Sequence, residues 1–245
     1  MKPSFLSELN TGLSGLQLTL SEQQKEQLYQ YYEQVIARNQ VMNLTAITEE
    51  AEFVRKHLID SLALVKINQL RDALDQPLKL MDVGTGAGLP GLVLKIAFPK
   101  LNVTLFDALQ KRLTFLDEVI AALSLQDIVT LHGRAEDIGH MQAHRETYDL
   151  VVSRAVANLS TLAEYCLPLV KPDGYFVSYK SADADAEIDA AGPAIRILGG
   201  KLCQTESYIL PDTSYGRSLL LIQKQKHTPK TYPRRAGTPS KQPLK

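Results

Sequence analysis

Four glycines inside the run Leu80-Met81-Asp82-Val83-Gly84-Thr85-Gly86-Ala87-Gly88-Leu89-Pro90-Gly91 constrain this chain more than any other feature. They separate a short apolar run, read as a strand, from a helical pattern, so the glycines form the turn between the two. Glycine at 84, 86 and 88 permits positive φ and brings bare backbone N–H groups against a ligand, at the positive end of the helix that follows. A polar, nucleotide-like ligand is expected in this cradle.

The loop alone leaves two ligands open. Gly86-x-Gly88-x-x-Gly91 satisfies the dinucleotide fingerprint, whereas Gly84-x-Gly86-x-Gly88 directly after a strand ending in Asp82 is the arrangement used for S-adenosylmethionine. A single G-x-G-x-x-G is a weak motif, and a glycine turn with no ligand is the bland alternative.

At 245 residues the chain is long enough for one well-buried domain with an appended segment. Its apolar stretches are broken by charges well short of the roughly 20 residues a membrane span needs, and the first residues lack a signal-peptide core. A soluble, cytoplasmic protein that does not enter a membrane is expected. Cys166 and Cys203 belong to no C-x-x-C pair, so two buried thiols are expected, with no disulfide and no metal. The formal charge of zero conceals an asymmetry. Asp212 is the last acidic residue, and the eight Lys and Arg residues beyond it leave 27 acids facing 19 bases in residues 1–212. An acidic body with a basic end points to a polyanionic partner.

Residues 21–41 read as an amphipathic helix opened by a Ser21/Gln24 capping box, with Leu28, Tyr31, Tyr32, Val35 and Ile36 on one face. A second helix is expected after Thr48, carrying Phe53, Val54, His57, Leu58, Ser61, Leu62 and Val65. With Pro77 as boundary, residues 1–76 form an N-terminal helical region. Strands are expected at Lys79–Val83, Val103–Asp107, Ile128–His132, Leu150–Ser153 and Tyr175–Tyr179, alternating with helices near 89–98, 110–124, 158–169 and 182–198. That alternation specifies an α/β fold with a parallel sheet covered on both faces. Lys201–Leu210 and Ser218–Lys224 have no room for a helix between them and are expected as an antiparallel hairpin at the sheet edge, closing a domain over 77–226. Residues 227–245, with four prolines and few apolar side chains, cannot build a core and are expected as a basic, flexible tail.

In an open α/β sheet the ligand lies outside the carboxyl ends of the strands. Asp82, Asp107, the segment Gly133-Arg134-Ala135-Glu136-Asp137, and Ser153-Arg154 all fall at that edge. Asp107 lies 21 residues after Gly86, where a carboxylate can accept both ribose hydroxyls of an adenosyl ligand; a helix cap is the competing role. Glu136 suits either a place beside an adenine ring or a solvated turn. The guanidinium of Arg154 is expected to contact a carboxylate or phosphate of ligand or substrate, or to pair with Asp82 or Asp149. His57 reads as a satisfied core histidine, and Tyr29, Tyr31 and Tyr32 as helix packing. The basic end, interleaved with Tyr232 and prolines, fits phosphate contact.

Together these residues resemble the bacterial small-subunit rRNA guanine-N7 methyltransferases once named glucose-inhibited division protein B. The marks are Asn43-Leu44-Thr45-Ala46-Ile47, His57-x-x-Asp60-Ser61-Leu62, the Asp82–Gly91 loop, Lys111-Arg112-x-x-Phe115-Leu116, Gly133-Arg134-Ala135-Glu136 and Ser153-Arg154-Ala155. The ending Pro233-Arg234-Arg235-Ala236-Gly237-Thr238-Pro239-Ser240-Lys241 resembles the tail of the longer members. Lys180-Ser181 departs from the Lys-Gly of many members. The resemblance implies a class I, Rossmann-like methyltransferase fold: a mostly parallel twisted sheet with a C-terminal antiparallel hairpin, preceded by helices. It implies S-adenosylmethionine as cofactor, held by Gly84, Leu89, Ala135, Glu136 and Arg154, to which the spacing of the chain adds Gly86 and Asp107. It implies ribosomal RNA or the small subunit as partner; the basic composition of the chain's end adds Lys230, Arg234, Arg235 and Lys241 as expected phosphate contacts, and a monomer is expected. Guanine N7 carries a lone pair and no proton, so no catalytic acid or base is expected. The Cys-Pro pairing of a cytosine-C5 enzyme and the Asn/Asp-Pro-Pro-aromatic motif of an amino-group methylase are both missing from the sequence. A nicotinamide-dependent oxidoreductase and a non-catalytic RNA-binding protein are the competing function classes.

Overall fold

The computed structural model describes residues 1–154, 156–182 and 184–245. Ala155, the last residue of the Ser-Arg-Ala motif, and Asp183 lie outside the described residues. The described strands are β1 (Lys79–Val83), β2 (Asn102–Asp107), β3 (Ile128–His132), β4 (Tyr148–Arg154), β5 (Val170–Ser181), β6 (Gly200–Ile209) and β7 (Gly216–Lys224). They form one sheet in the order β3-β2-β1-β4-β5-β7-β6. β1 to β5 run parallel, and β7 pairs antiparallel with both β5 and β6. The near-continuous apolar runs of β1, β2 and β4 are buried on both faces, as parallel strands between helical layers require. β6 is an edge strand and alternates exposed residues with half-buried or buried ones, so Cys203 lies exposed on it; the expected burial holds for Cys166 alone.

Two apolar layers cover the sheet. One holds Leu92 of the helix Gly91–Ala97, Leu113 and Leu116 of the helix Gln110–Ala122, and the N-terminal Phe5, Leu28 and Phe53. The other holds Leu159 and Leu162 of the helix Leu159–Cys166 and Ile195 of the helix Asp185–Ile197. The N-terminal helices thus share a core with the sheet. Ser21 and Gln24 make the expected capping box at the start of the helix Glu22–Asn39. Gln24 Nε2 also donates to the carbonyls of Ile96 and Ala97 at 2.9 Å, tying that helix start to the end of Gly91–Ala97. A first helix, Pro3–Gly15, was not anticipated, although Phe5, Leu9 and Leu13 repeat at four-residue spacing and all are buried. The helix expected after Thr48 begins at Glu50 and widens into a π-helical stretch at Val54–Ile59 before Asp60–Leu62. Among the described residues no helix is long and apolar enough to cross a membrane.

Residues 227–245 depart from the expected flexible tail, because they lie against the body. Thr228, Pro233 and Pro239 are buried. Arg145 reaches out of the body to donate to the carbonyls of Tyr232 at 2.8 Å and Thr228 at 2.7 Å, and to Gly139 of its own segment at 2.7 Å. Glu164, fully buried, accepts from the backbone N–H of Arg234 at 2.7 Å and pairs with its guanidinium at 2.7 Å. Lys224 is buried too, paired with Glu146 at 3.0 Å. Composition reports only whether a segment can bury a core of its own. This one is held through its main chain and through body charges that need partners.

Arg145→Ala removes the donor from three tail carbonyls, those of Thr228, Pro229 and Tyr232. With about 1.4–3 kcal/mol of docking lost, trypsin should cut at Lys230 and Arg235 about 10- to 100-fold faster, read by timed proteolysis and mass spectrometry. Unchanged cleavage rates would mean that the buried prolines and Glu164 suffice to hold the segment.

Candidate functional site

In this sheet the chain runs outward from β1 to β3 and then returns to place β4 on the other side of β1. Such a reversal opens a crevice at the carboxyl ends of β1 and β4. A cavity of about 440 Å³ lies there, within the size range of small-molecule sites. The end of β2 braces the glycine loop above it. The Phe106 carbonyl accepts from Gly84 and Thr85 N–H at 2.8 and 3.0 Å, and Asp107 Oδ2 accepts from Gly86 N–H at 3.0 Å. Asp107 Oδ1 takes the Leu109 N–H at 2.9 Å, so the carboxylate serves both as loop brace and as the turn into the next helix. Gly84 and Gly86 have φ of +73° and +59°. A side chain on Gly84 would run into Val156 at 2.4 Å, whereas one on Gly86 would meet only the Gly84 carbonyl at 4.0 Å and otherwise open space. Asp82 is fully buried beneath the loop. Its Oδ2 accepts from Thr85 Oγ1 at 2.7 Å and Gly91 N–H at 2.8 Å, while Oδ1 has no protein donor. Burial pushes this carboxyl up to about 6 against those two bonds.

Gly84, Asp107, Ala135 and Glu136 line this cavity. Gly86 sits in the loop with its N–H on Asp107, and Leu89 is buried with its N–H on the Thr85 carbonyl at 3.0 Å. Phe106, Arg112 and Tyr165 also contribute, and from the far end of the chain Gly237 and Ser240. Gly237 N–H donates to Glu136 Oε1 at 2.8 Å. The sequence carried no signal for Tyr165, Gly237 or Ser240, since only tertiary packing brings them here. Of the four cationic residues expected on RNA, Lys230, Arg235 and Lys241 are exposed, whereas Arg234 is committed to Glu164.

Arg154 is not among the residues that line this cavity. It lines a second one, of about 490 Å³, with Lys56, His57, Asp60, Lys180 and Arg217. Its expected partners Asp82 and Asp149 are replaced by Asp60, which accepts from Arg154 Nη1 at 2.9 Å and also from the Tyr208 hydroxyl at 2.7 Å. The Lys56 carbonyl accepts a further guanidinium bond at 3.1 Å. Thr45 Oγ1 lies 2.7 Å from His57 Nε2, and Tyr179 donates to the Ser61 carbonyl at 2.9 Å. Three separate sequence motifs, around Thr45, from His57 to Ser61, and at Ser153-Arg154, therefore meet at one point. Val156 lines the first cavity and Arg154 the second, so the end of β4 divides them.

Burial, then the charge of Arg154, pushes His57 down to about 3, against its Nδ1 contact with the Lys56 carbonyl at 3.1 Å; the Arg154 guanidinium lies 3.3 Å from the same nitrogen. The unfolded chain takes up this proton near pH 6.5, well before the folded one. The stabilisation is therefore complete above that pH and is lost as the pH falls toward 3. His57→Gln should flatten the decline in unfolding free energy below pH 6.5 by up to about 1.4 kcal/mol per pH unit, measured by urea denaturation. Parallel curves for variant and parent would mean that the ring does not change its protonation on unfolding.

The profile of the family described as rRNA small subunit methyltransferase G matches residues 24–213. A protein named ribosomal RNA small subunit methyltransferase G from Lachnoclostridium phytofermentans is 50% identical over 233 residues, covering 95% of each chain. One of the same name from Desulforamulus reducens is 48% identical over 236 residues, covering 96% of this chain and 97% of its own. Among solved structures, the fibrillarin pre-rRNA processing protein of Methanococcus jannaschii superposes with a TM-score of 0.50 at 16% identity, over 62% of this chain and 69% of that one, a likeness of fold alone. The fold is the class I methyltransferase one, and the chain belongs to the rRNA small subunit methyltransferase G family.

Proposed function

We propose that this protein transfers a methyl group from S-adenosylmethionine to N7 of a guanine in small-subunit ribosomal RNA. The carrying observation is the pair of cavities at the reversal of strand order, divided by the end of β4. One is braced by Asp107 and the glycine loop; the other is lined by the cations Lys56, Arg154, Lys180 and Arg217, which outnumber the acids Asp60 and Glu187 set among them. The first suits an adenosyl ligand. Asp107 keeps acceptor capacity on Oδ1, which takes only the Leu109 N–H, while Oδ2 carries Gly86 N–H and a 3.4 Å contact from Arg112; Glu136 keeps one oxygen free of Gly237, and Gly86 faces open space. Asp82 Oδ1, a buried acceptor without a donor, suits a water or an ammonium group beneath the loop.

In this reading Asp107 holds the ribose hydroxyls, Ala135 and Glu136 flank the adenine, and Gly84 and Gly86 curve around the amino-acid portion. The cofactor supplies an electrophilic methyl on a sulfonium. The second cavity receives the target nucleotide, with Lys56, Lys180 and Arg217 offering charge to its phosphates. Arg154 is a positioning residue there, fixed by Asp60 and in turn fixing His57. Guanine N7 has no proton to lose, so alignment is the main demand on the protein. The groups around this cavity agree. His57 is neutral and bonded to Thr45, and burial holds the hydroxyls of Tyr179 and Tyr208 protonated well above neutral pH. Lys230, Arg235 and Lys241 add exposed positive charge for RNA phosphates.

Labelled methyl groups should enter small-subunit rRNA from a strain lacking the enzyme, and enzymatic digestion should release the label as N7-methylguanosine. Label on another position would overturn the N7 assignment. Asp107→Ala should weaken S-adenosylmethionine by about 1–3 kcal/mol in calorimetry, through lost charge-assisted hydrogen bonds, with the circular dichroism of a folded chain. Full affinity in that folded variant would remove Asp107 from the site. Arg154→Lys keeps the charge and loses the planar fork that spans Asp60, Lys56 and His57. Methyl transfer should fall while rRNA affinity is held, and a parental turnover rate would reduce Arg154 to a dispensable ion pair.

A further inference from the structure

We infer that residues 237–240, at the C-terminal end of the chain, belong to the cofactor site and form the wall at its adenosyl end. The inference rests on the placement of S-adenosylmethionine in the Asp107 cavity. Basic composition pointed this segment toward RNA, and it lies outside the 24–213 span matched by the family profile. In the structure its backbone instead reaches the cavity. Gly237 and Ser240 line it beside Glu136 and Tyr165, and Gly237 N–H donates to Glu136 Oε1 at 2.8 Å.

This turn is built in. On one side Glu164, fully buried, grips Arg234 through both its backbone N–H and its guanidinium at 2.7 Å. On the other, the Thr161 hydroxyl donates to the carbonyl of the buried Pro239 at 3.0 Å. Both anchors come from the helix Leu159–Cys166, whose Tyr165 faces the same cavity, so the turn 237–240 is pinned at both ends along one helix. Glu136 follows β3, the outermost parallel strand, and therefore lies at the far side of the cavity from the glycine loop after β1. A ligand with its ribose on Asp107 places its purine between these strand ends, against the wall that the turn completes. The same contact orients the Glu136 carboxylate, because Gly237 occupies one oxygen and leaves the other for the ligand. The side chains of Arg235 and Lys241 remain outside. The segment thus presents backbone to the cofactor and charge to solvent.

Two variants test this. A chain ending at Arg235 retains the Arg234–Glu164 and Arg145 anchors and lacks the turn. Ser240→Trp keeps the whole chain and fills the wall from an exposed position. Calorimetry with S-adenosylhomocysteine and with 5′-methylthioadenosine, which lacks the amino-acid portion, should show a loss of about tenfold for each variant. The loss should be alike for the two ligands, because the missing contact is to the shared adenosyl group; tenfold corresponds to about 1.4 kcal/mol. Thermal unfolding without ligand should show Ser240→Trp as stable as the parent. Parental affinity in both variants, with Asp107→Ala still impaired, would overturn the inference and leave the cofactor placement standing. Parental affinity in all three would overturn the placement itself. A truncated chain that keeps cofactor affinity but shows a flatter salt dependence of rRNA binding would also overturn it, making the segment an RNA arm.

Discussion

The ion pair between Asp60 and Arg154 joins the N-terminal helices to the working edge of the sheet. Asp60 sits on the short helix Asp60–Leu62, Arg154 ends β4, and Tyr208 reaches the same carboxylate from β6. A buried carboxylate and a half-buried guanidinium lose hydration that only good geometry and further hydrogen bonds replace. Both conditions are met here, because each Asp60 oxygen accepts a bond and the guanidinium also reaches the Lys56 carbonyl and His57. The pair is costly to disrupt from either side, which keeps the helical region in fixed register with the strand ends. His57 belongs to the same assembly as a neutral acceptor, with its other nitrogen on Thr45.

On the opposite side of β4 the constraint is carried by main chain. The end of β2 supplies the Phe106 carbonyl and the Asp107 carboxylate that stretch the glycine loop open, and Asp82 anchors its two ends through Thr85 and Gly91. The loop at the Asp107 cavity is thus held in one shape by bonds within the protein, which lowers the ordering cost of binding. The neighbouring cavity is lined by Lys56, Arg154, Lys180 and Arg217 with the acids Asp60 and Glu187 among them, a surplus of positive charge that suits a polyanion. Division of labour between the two follows from the strand order, which places β1 and β4 side by side with their connections leaving in opposite directions.

Much of this arrangement was legible in the sequence. The alternation of apolar runs with helical patterns located the first five strands, with β1 and β3 at their expected limits, the missing helix after β6 located the β6–β7 hairpin, and the Ser21/Gln24 box marked its helix start. These are local signals, set by side-chain periodicity and by hydrogen bonds between residues three apart. Gly84, Asp107, Ala135 and Glu136 were legible as neighbours because strand ends of a parallel sheet share one edge. Arg154 was legible as a buried guanidinium needing a carboxylate, but its partner was not, since Asp60 lies 94 residues away on another element.

The amino-acid sequence by itself determined the α/β alternation, the glycine cradle after β1, the acid at the end of β2 and the surplus of positive charge beyond Asp212. Tertiary structure alone decided that Asp60 receives Arg154, that Cys203 is exposed on an edge strand, and that the C-terminal segment docks on the body. Composition measures what a segment can bury by itself. The docking of residues 227–245 depends instead on Arg145, Glu146 and Glu164, whose unmet hydrogen-bonding capacity lies elsewhere in the chain and becomes a binding surface only once the sheet has formed.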